Sequence, residues 1–118
     1  MIAVKTHEDH PIIEVEVGES LTAEDYEHFS PKLEQKIEQS GKVNLFCRMD
    51  RVPDMSSGAI VRDFKLFFKH YSSFNKMAII SDDEDVSSLM KAEEILPGVN
   101  IECFDTQHEE QAWEWLKE

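Results

Sequence analysis

The chain has 118 residues, 41% hydrophobic and 31% charged, a balance that fits one soluble globular domain over residues 1–118 and excludes a disordered tail. Its 25 acidic residues against 12 basic ones leave a formal net charge of −13, which repels nucleic acid and anionic lipid surfaces and favours neutral or basic partners. No apolar run approaches the roughly 20 residues of a membrane-spanning helix, and the opening MIAVKTHEDH lacks the basic and apolar regions of a signal peptide. A cytoplasmic protein without integral membrane association is therefore the default expectation.

Met1 to Thr6 and Pro11 to Gly18 read as two short strands joined by the turn-forming HEDHP, a hairpin at a sheet edge. In the second strand Ile13, Val15 and Val17 point one way and Glu14 and Glu16 the other. Ser20 to Ser40 reads as the first helix. Thr22 and Asp25 are spaced as a capping box, Tyr26, Phe29, Leu33 and Ile37 recur at helical spacing, and Gly41 is a stop signal. Pro31 cannot donate to the carbonyl four residues back, which predicts a kink or two abutting helices near Ser30.

Lys42 to Met49 is the third predicted strand, with Val43, Leu45, Cys47 and Met49 on one face and Asn44, Phe46 and Arg48 on the other. A polar turn, DMSSG, then leads into the most aromatic predicted helix, Ala59 to Tyr71, whose stripe is Ile60, Phe64, Phe67 and Tyr71, widened by Val61 and Phe68. Lys76 to Ile80 is a fourth strand and Ser81 to Leu96 a third helix. Val99 to Phe104 is a fifth strand. Thr106 to Glu118 closes the chain as a helix with Thr106 and Glu109 spaced as a second capping box and Ala112, Trp113, Trp115 and Leu116 as packing residues.

The order ββαβαβαβα defines an α/β fold with a mostly parallel five-stranded sheet and an antiparallel edge strand. Because three of the strands alternate, the helices are expected mainly on one face. The second face then holds Glu14, Glu16, Asn44, Arg48, Asn100 and Glu102 with Phe46, Ile80 and Phe104. Such a half-apolar surface suits a partner or a homodimer.

This order, and the phrases LTAEDYEHFSPKLEQKI (Leu21 to Ile37), RDFKLFFKHYSSFNKMAII (Arg62 to Ile80) and ECFDTQHEEQAWEWL (Glu102 to Leu116), resemble the SpoIIAA-like family of small bacterial proteins. Its fold is shared by anti-sigma factor antagonist (STAS) domains and by the lipid-binding domain of Sec14-type proteins, and most members have no defined molecular function. Anti-sigma factor antagonists carry Asp-Ser-Ser-Gly after the third strand, the second serine being phosphorylated. The resemblance makes Ser57, with its neighbour Ser56, the candidate modification point. Here Asp54 stands one residue early and Met55 occupies the acidic position. A phosphate at a helix N-terminus meets free N–H groups and the positive end of the dipole; an ordinary N-cap is the alternative role. Asp54, Met55, Gly58 and Arg62 complete the implied interaction surface.

The Sec14 relationship implies a second reading, a small carrier or sensor of an apolar, lipid-like ligand held by Phe64, Phe67, Phe68 and Tyr71, with Trp113, Trp115 and Tyr26 as candidate neighbours. Core packing is the alternative for these aromatics. The run Asp82 to Asp85 lacks the ligand spacing of a calcium loop and opens a helix, where acidic side chains are favoured. His7, His10, His28, His70 and His108 form no ligand pair, although His7 and His10 with Asp9 make a candidate polar cluster. Cys47 and Cys103 read as buried thiols in strands; the positions allow them to lie close enough to pair, but a reducing cytosol argues against a disulfide. With no nucleotide loop or nucleophile elbow, the expectation is a non-enzymatic module without metal or cofactor, acting on an unidentified protein partner.

Overall fold

The computed structural model describes residues 2–19, 22–51, 62, 74–90 and 99–118. Strands β1 (Ile2–Thr6) and β2 (Ile12–Val17) pair antiparallel, Val4 opposite Val15 and Thr6 opposite Ile13. Strands β3 (Val43–Met49), β4 (Phe74–Ile80) and β5 (Asn100–Phe104) then add in parallel, giving the spatial order β1-β2-β3-β4-β5. The predicted mostly parallel sheet with its one antiparallel edge pair is thus present.

Helix α1 (Ala23–Ser40) is held at both ends by the signals that its sequence carries. The Thr22 hydroxyl accepts the Asp25 N–H at 3.2 Å, and the Thr22 N–H donates to the Asp25 carboxylate at 2.9 Å, which closes the box. Burial alone would raise the Asp25 carboxyl; hydrogen bonds, those from Thr22 foremost, outweigh it and leave the group below its ordinary value. At the other end Gly41 adopts φ 80°, where a side chain is disfavoured, and its N–H returns to the Ile37 carbonyl at 2.8 Å. Pro31 lies within one helix rather than between two. It removes a single intrahelical bond, while the stripe around it stays seated on the sheet, with Phe29 and Leu33 buried.

Neighbouring parallel strands joined by right-handed crossovers that all step the same way must carry their connections on one face. Accordingly α1, between β2 and β3, and α2 (Glu84–Met90), between β4 and β5, lie on the same side. There Ile13, Val15, Leu45, Cys47, Met77 and Ile79 meet Phe29, Leu33 and Val86 in a continuous apolar core. Buried in this way, the Cys47 thiol is pushed up to about 12. Cys47 and Cys103 both flank Ile79, one on each side of β4. Two strand spacings, roughly 9.5 Å, separate their backbones, beyond the roughly 4.4–6.8 Å of a disulfide. The reach expected between the two thiols is therefore not there, and both are free.

Helix α3 (Glu109–Lys117) follows β5 and lies on the other side of the sheet. It covers the opposite face, where Ile12, Phe46, Ala78 and Ile80 meet Ala112 and Leu116, with Trp113, Trp115 and Phe104 alongside. The middle of the second face is thus covered where the alternation pattern suggested an open surface, Phe46 being 2% and Ile80 2% exposed, while Glu16, Asn100 and Glu102 toward its edges remain exposed. Trp113 and Trp115 also lie across the sheet from Tyr26, so these aromatics do not form one cluster.

The second predicted capping box does not form. Thr106 to His108 is a 3-10 turn, α3 starts at Glu109, and both members of the expected pair are engaged elsewhere. The Thr106 hydroxyl donates to Asp82 at 2.8 Å, and Glu109 accepts Arg48 Nε at 2.6 Å.

Candidate functional site

Four strands end at one level, because Val17 pairs with Met49, Arg48 with Ile80 and Ile80 with Phe104. The carboxyl edge of a parallel sheet is where loops of α/β folds carry function. Here the described chain leaves it through Gly18 and Glu19, Asp50 and Arg51, Ser81 to Asp83, and Asp105 and Thr106. Glu19, Asp50, Asp82, Asp83 and Asp105 make this edge acidic. Arg51 reaches Glu19 at 3.5 Å, but both side chains are exposed, so the pair contributes little stability.

The acidic residues after β4 and β5 are committed to backbone groups. Asp82 accepts the Thr106 N–H at 3.0 Å as well as the hydroxyl, and these two bonds hold its carboxyl below the ordinary value. Ser81 accepts the Asp83 N–H at 3.1 Å, and Asp83 in turn accepts the Asp85 N–H at 2.8 Å, which caps the entry to α2. Asp105 accepts the Gln107 N–H at 3.1 Å and bonds to the His108 ring. Among the described residues no group of three or more His, Cys, Asp or Glu side chains is placed to hold a metal ion.

The sequence leads from this edge directly into the candidate turn. β3 ends at Met49 and β4 begins at Phe74, so in sequence the DMSSG stretch follows the carboxyl end of β3 after the four residues 50–53. Asp54, Met55, Ser56, Ser57 and Gly58 lie outside the described residues, as do Phe64, Phe67, Phe68 and Tyr71. Arg62 alone of the candidate residues is described, and it is helical and exposed.

A second constellation went unread in the sequence. On the face under α3, strand β3 presents Asn44, Phe46 and Arg48 in alternation, and each meets a different part of the helix. Arg48 takes Glu109 in the first turn, Phe46 meets the Trp113 ring edge-on at 5.4 Å, and the Asn44 amide donates to the Leu116 carbonyl at 2.7 Å. The lengths match: about 13 Å of strand from residue 44 to 48 faces about 10 Å of helix from 109 to 116. Arg48 also bonds Glu14 at 3.2 Å, and Glu14 accepts His7 at 2.9 Å, while the His7 ring stands edge-on to Trp113 at 5.0 Å. His7 is therefore joined to Glu14 and Arg48 rather than to a cluster with His10 and Asp9 alone. The Glu109 hydrogen bond, reinforced by Glu14, pushes the Arg48 guanidinium up. At the far end Lys76 donates to the Trp115 carbonyl at 3.0 Å, a cation placed at a helix C-terminus.

A five-stranded α/β sheet with this order and with helices on both faces is the architecture of the SpoIIAA-like fold. The SpoIIAA-like sequence pattern matches residues 12–117, and the chain belongs to that family. Among solved structures it is similar to an uncharacterised protein of the DUF3478 family with a SpoIIAA-like fold from Shewanella loihica PV-4. The two share 26% identity over 98% of this chain and 92% of that one, with a TM-score of 0.69. No curated protein matches the chain. Among the described residues no helix is long and apolar enough to cross a membrane.

Proposed function

We propose that this SpoIIAA-like chain is a non-enzymatic regulatory module that works by protein contact through the Asp54 to Ala59 turn and Arg62, with Ser57, or its neighbour Ser56, as the modification point. One observation carries the reading. The Ser-Ser-Gly tripeptide begins seven residues after Met49, the last of β3, and the carboxylates that follow β4 and β5 are already occupied in holding loops. A phosphate added to Ser57 enters a chain segment preceded by Asp50 and Asp54 in sequence. Like-charge repulsion there releases an acidic partner and strengthens a basic one.

The test is a pull-down from the native host with Ser57→Asp and Ser57→Ala proteins. The proposal expects at least one captured protein to differ between the two by about tenfold, on the order of the effect of one or two charge-assisted hydrogen bonds. Capture of the same proteins with equal strength removes the switch.

A further inference from the structure

We propose that α3 is a releasable latch, clasped by Arg48 over a preformed apolar face of the sheet, and that it opens without unfolding the domain. This rests on the second face alone and is independent of the Ser57 turn.

Three observations point the same way. First, α3 has nine residues, below the roughly 12–15 at which an isolated helix is marginal in water, so it persists only while docked. Second, its docking is thin. Ala112 and Leu116 are its two fully buried side chains, Trp113 and Trp115 pack only half-buried against Phe46 and Phe104, and the other ties are polar: Glu109 to Arg48, the Leu116 carbonyl to Asn44, the Trp115 carbonyl to Lys76. The Arg48 and Glu109 side chains are 37% and 38% exposed, so water and salt reach the clasp. Third, the face below is built by other elements. Ile12, Phe46, Ala78 and Ile80 sit on β2, β3 and β4, whose ladder hydrogen bonds run between the strands, and the opposite core braces the same strands. Undocking α3 costs the sheet none of its pairing.

Arg48 is the hinge of the arrangement because it holds two elements at once. It ties Glu14 of β2 to Glu109 of α3 and lies over the Phe46 ring at 4.7 Å, so its loss frees the start of the helix while leaving β2 and β3 paired. An open latch presents the apolar strip together with the inner side of α3. That is a two-state element of the kind a modification or a partner can bias.

Hydrogen exchange read by mass spectrometry on the full chain tests the latch. Amides of residues 109–117 are expected to exchange at least about tenfold faster than those of α1 residues 29–37, because they open locally while α1 opens only with the whole domain. Arg48→Met is expected to speed exchange in α3 by a further factor of about five and to shift tryptophan emission to the red, with α1 unchanged. Should Arg48→Met fail to fold, the wild-type chain at low and high salt serves instead, and a salt-induced rise confined to α3 supports the latch. Equal exchange of α1 and α3 in the wild-type chain overturns it. So does an Arg48→Met or salt effect that accelerates both helices alike, which is the signature of a purely structural role.

Discussion

The two faces of the sheet are closed by different chemistry. Under α1 the contact is a long helix with an apolar stripe, sealed by a capping box at one end and a glycine at the other. Its one buried cation, Lys36, donates to the His7 carbonyl of the β1–β2 turn. Under α3 the contact is a half-length helix whose middle is apolar and whose ends are fastened by Arg48, Asn44 and Lys76. Apolar burial is not weakened by charge screening and tolerates little change of volume. Half-exposed ion pairs contribute less and vanish with screening. The first face is held by apolar packing along a long helix, and the second by a smaller apolar cluster fastened with polar ties that water reaches.

The largest effect that separates the faces is expected from Leu33→Ala, which empties a fully buried position beneath α1. Urea denaturation should show a loss of about 3 kcal/mol, from transfer and cavity terms together. If the loss is instead within a few tenths of a kcal/mol, the first face is not the stability core. Next is Thr22→Ala, which removes the hydroxyl that accepts the Asp25 N–H and leaves only the Thr22 backbone N–H donating to the Asp25 carboxylate; a loss of about 1 kcal/mol is expected from the same measurement. Smaller again is the clasp. A double-mutant cycle of Arg48→Met and Glu109→Gln should give a coupling of about 0.5–1 kcal/mol, falling toward zero in about 1 M salt. A coupling that survives such salt would show the clasp to be shielded, and would blur the distinction between the faces.

Acid titration separates them in another way. Asp25 is folded with its carboxyl below the ordinary value, so it binds fewer protons folded than unfolded near that value. Its contribution is complete above the unfolded value of about 3.9 and is lost as pH falls through the lowered folded value. Asp25→Asn should therefore flatten the acid limb of the stability curve and leave the neutral region's slope unchanged. Asp82, lowered by Thr106, has the same sign, but its exposure makes Asp82→Asn the weakest of these substitutions.

Local periodicity and end signals determined much of this protein without help from the fold. The alternation of Ile13, Val15 and Val17, the stripe of Phe29 and Leu33, and the Thr22, Asp25 and Gly41 signals each act over a few residues, and the structure uses each as read. The ββαβ order also implied parallel pairing, since crossovers of that length admit little else. For the candidate turn the sequence supplied a motif and a place in the chain order, after β3.

Tertiary structure decided what crosses the sheet. Asn44, Phe46 and Arg48 looked like a half-polar face open to water, because no rule of spacing says which element will lie over them. Only the position of α3, on the face opposite α1, turned them into three contacts along one helix. The same long-range choice took Thr106 and Glu109 out of a capping box that their spacing invited. Asp82 and Arg48 lie 24 and 61 residues away from these two partners in the chain, and at such separations a local signal competes with contacts that sequence order cannot rank.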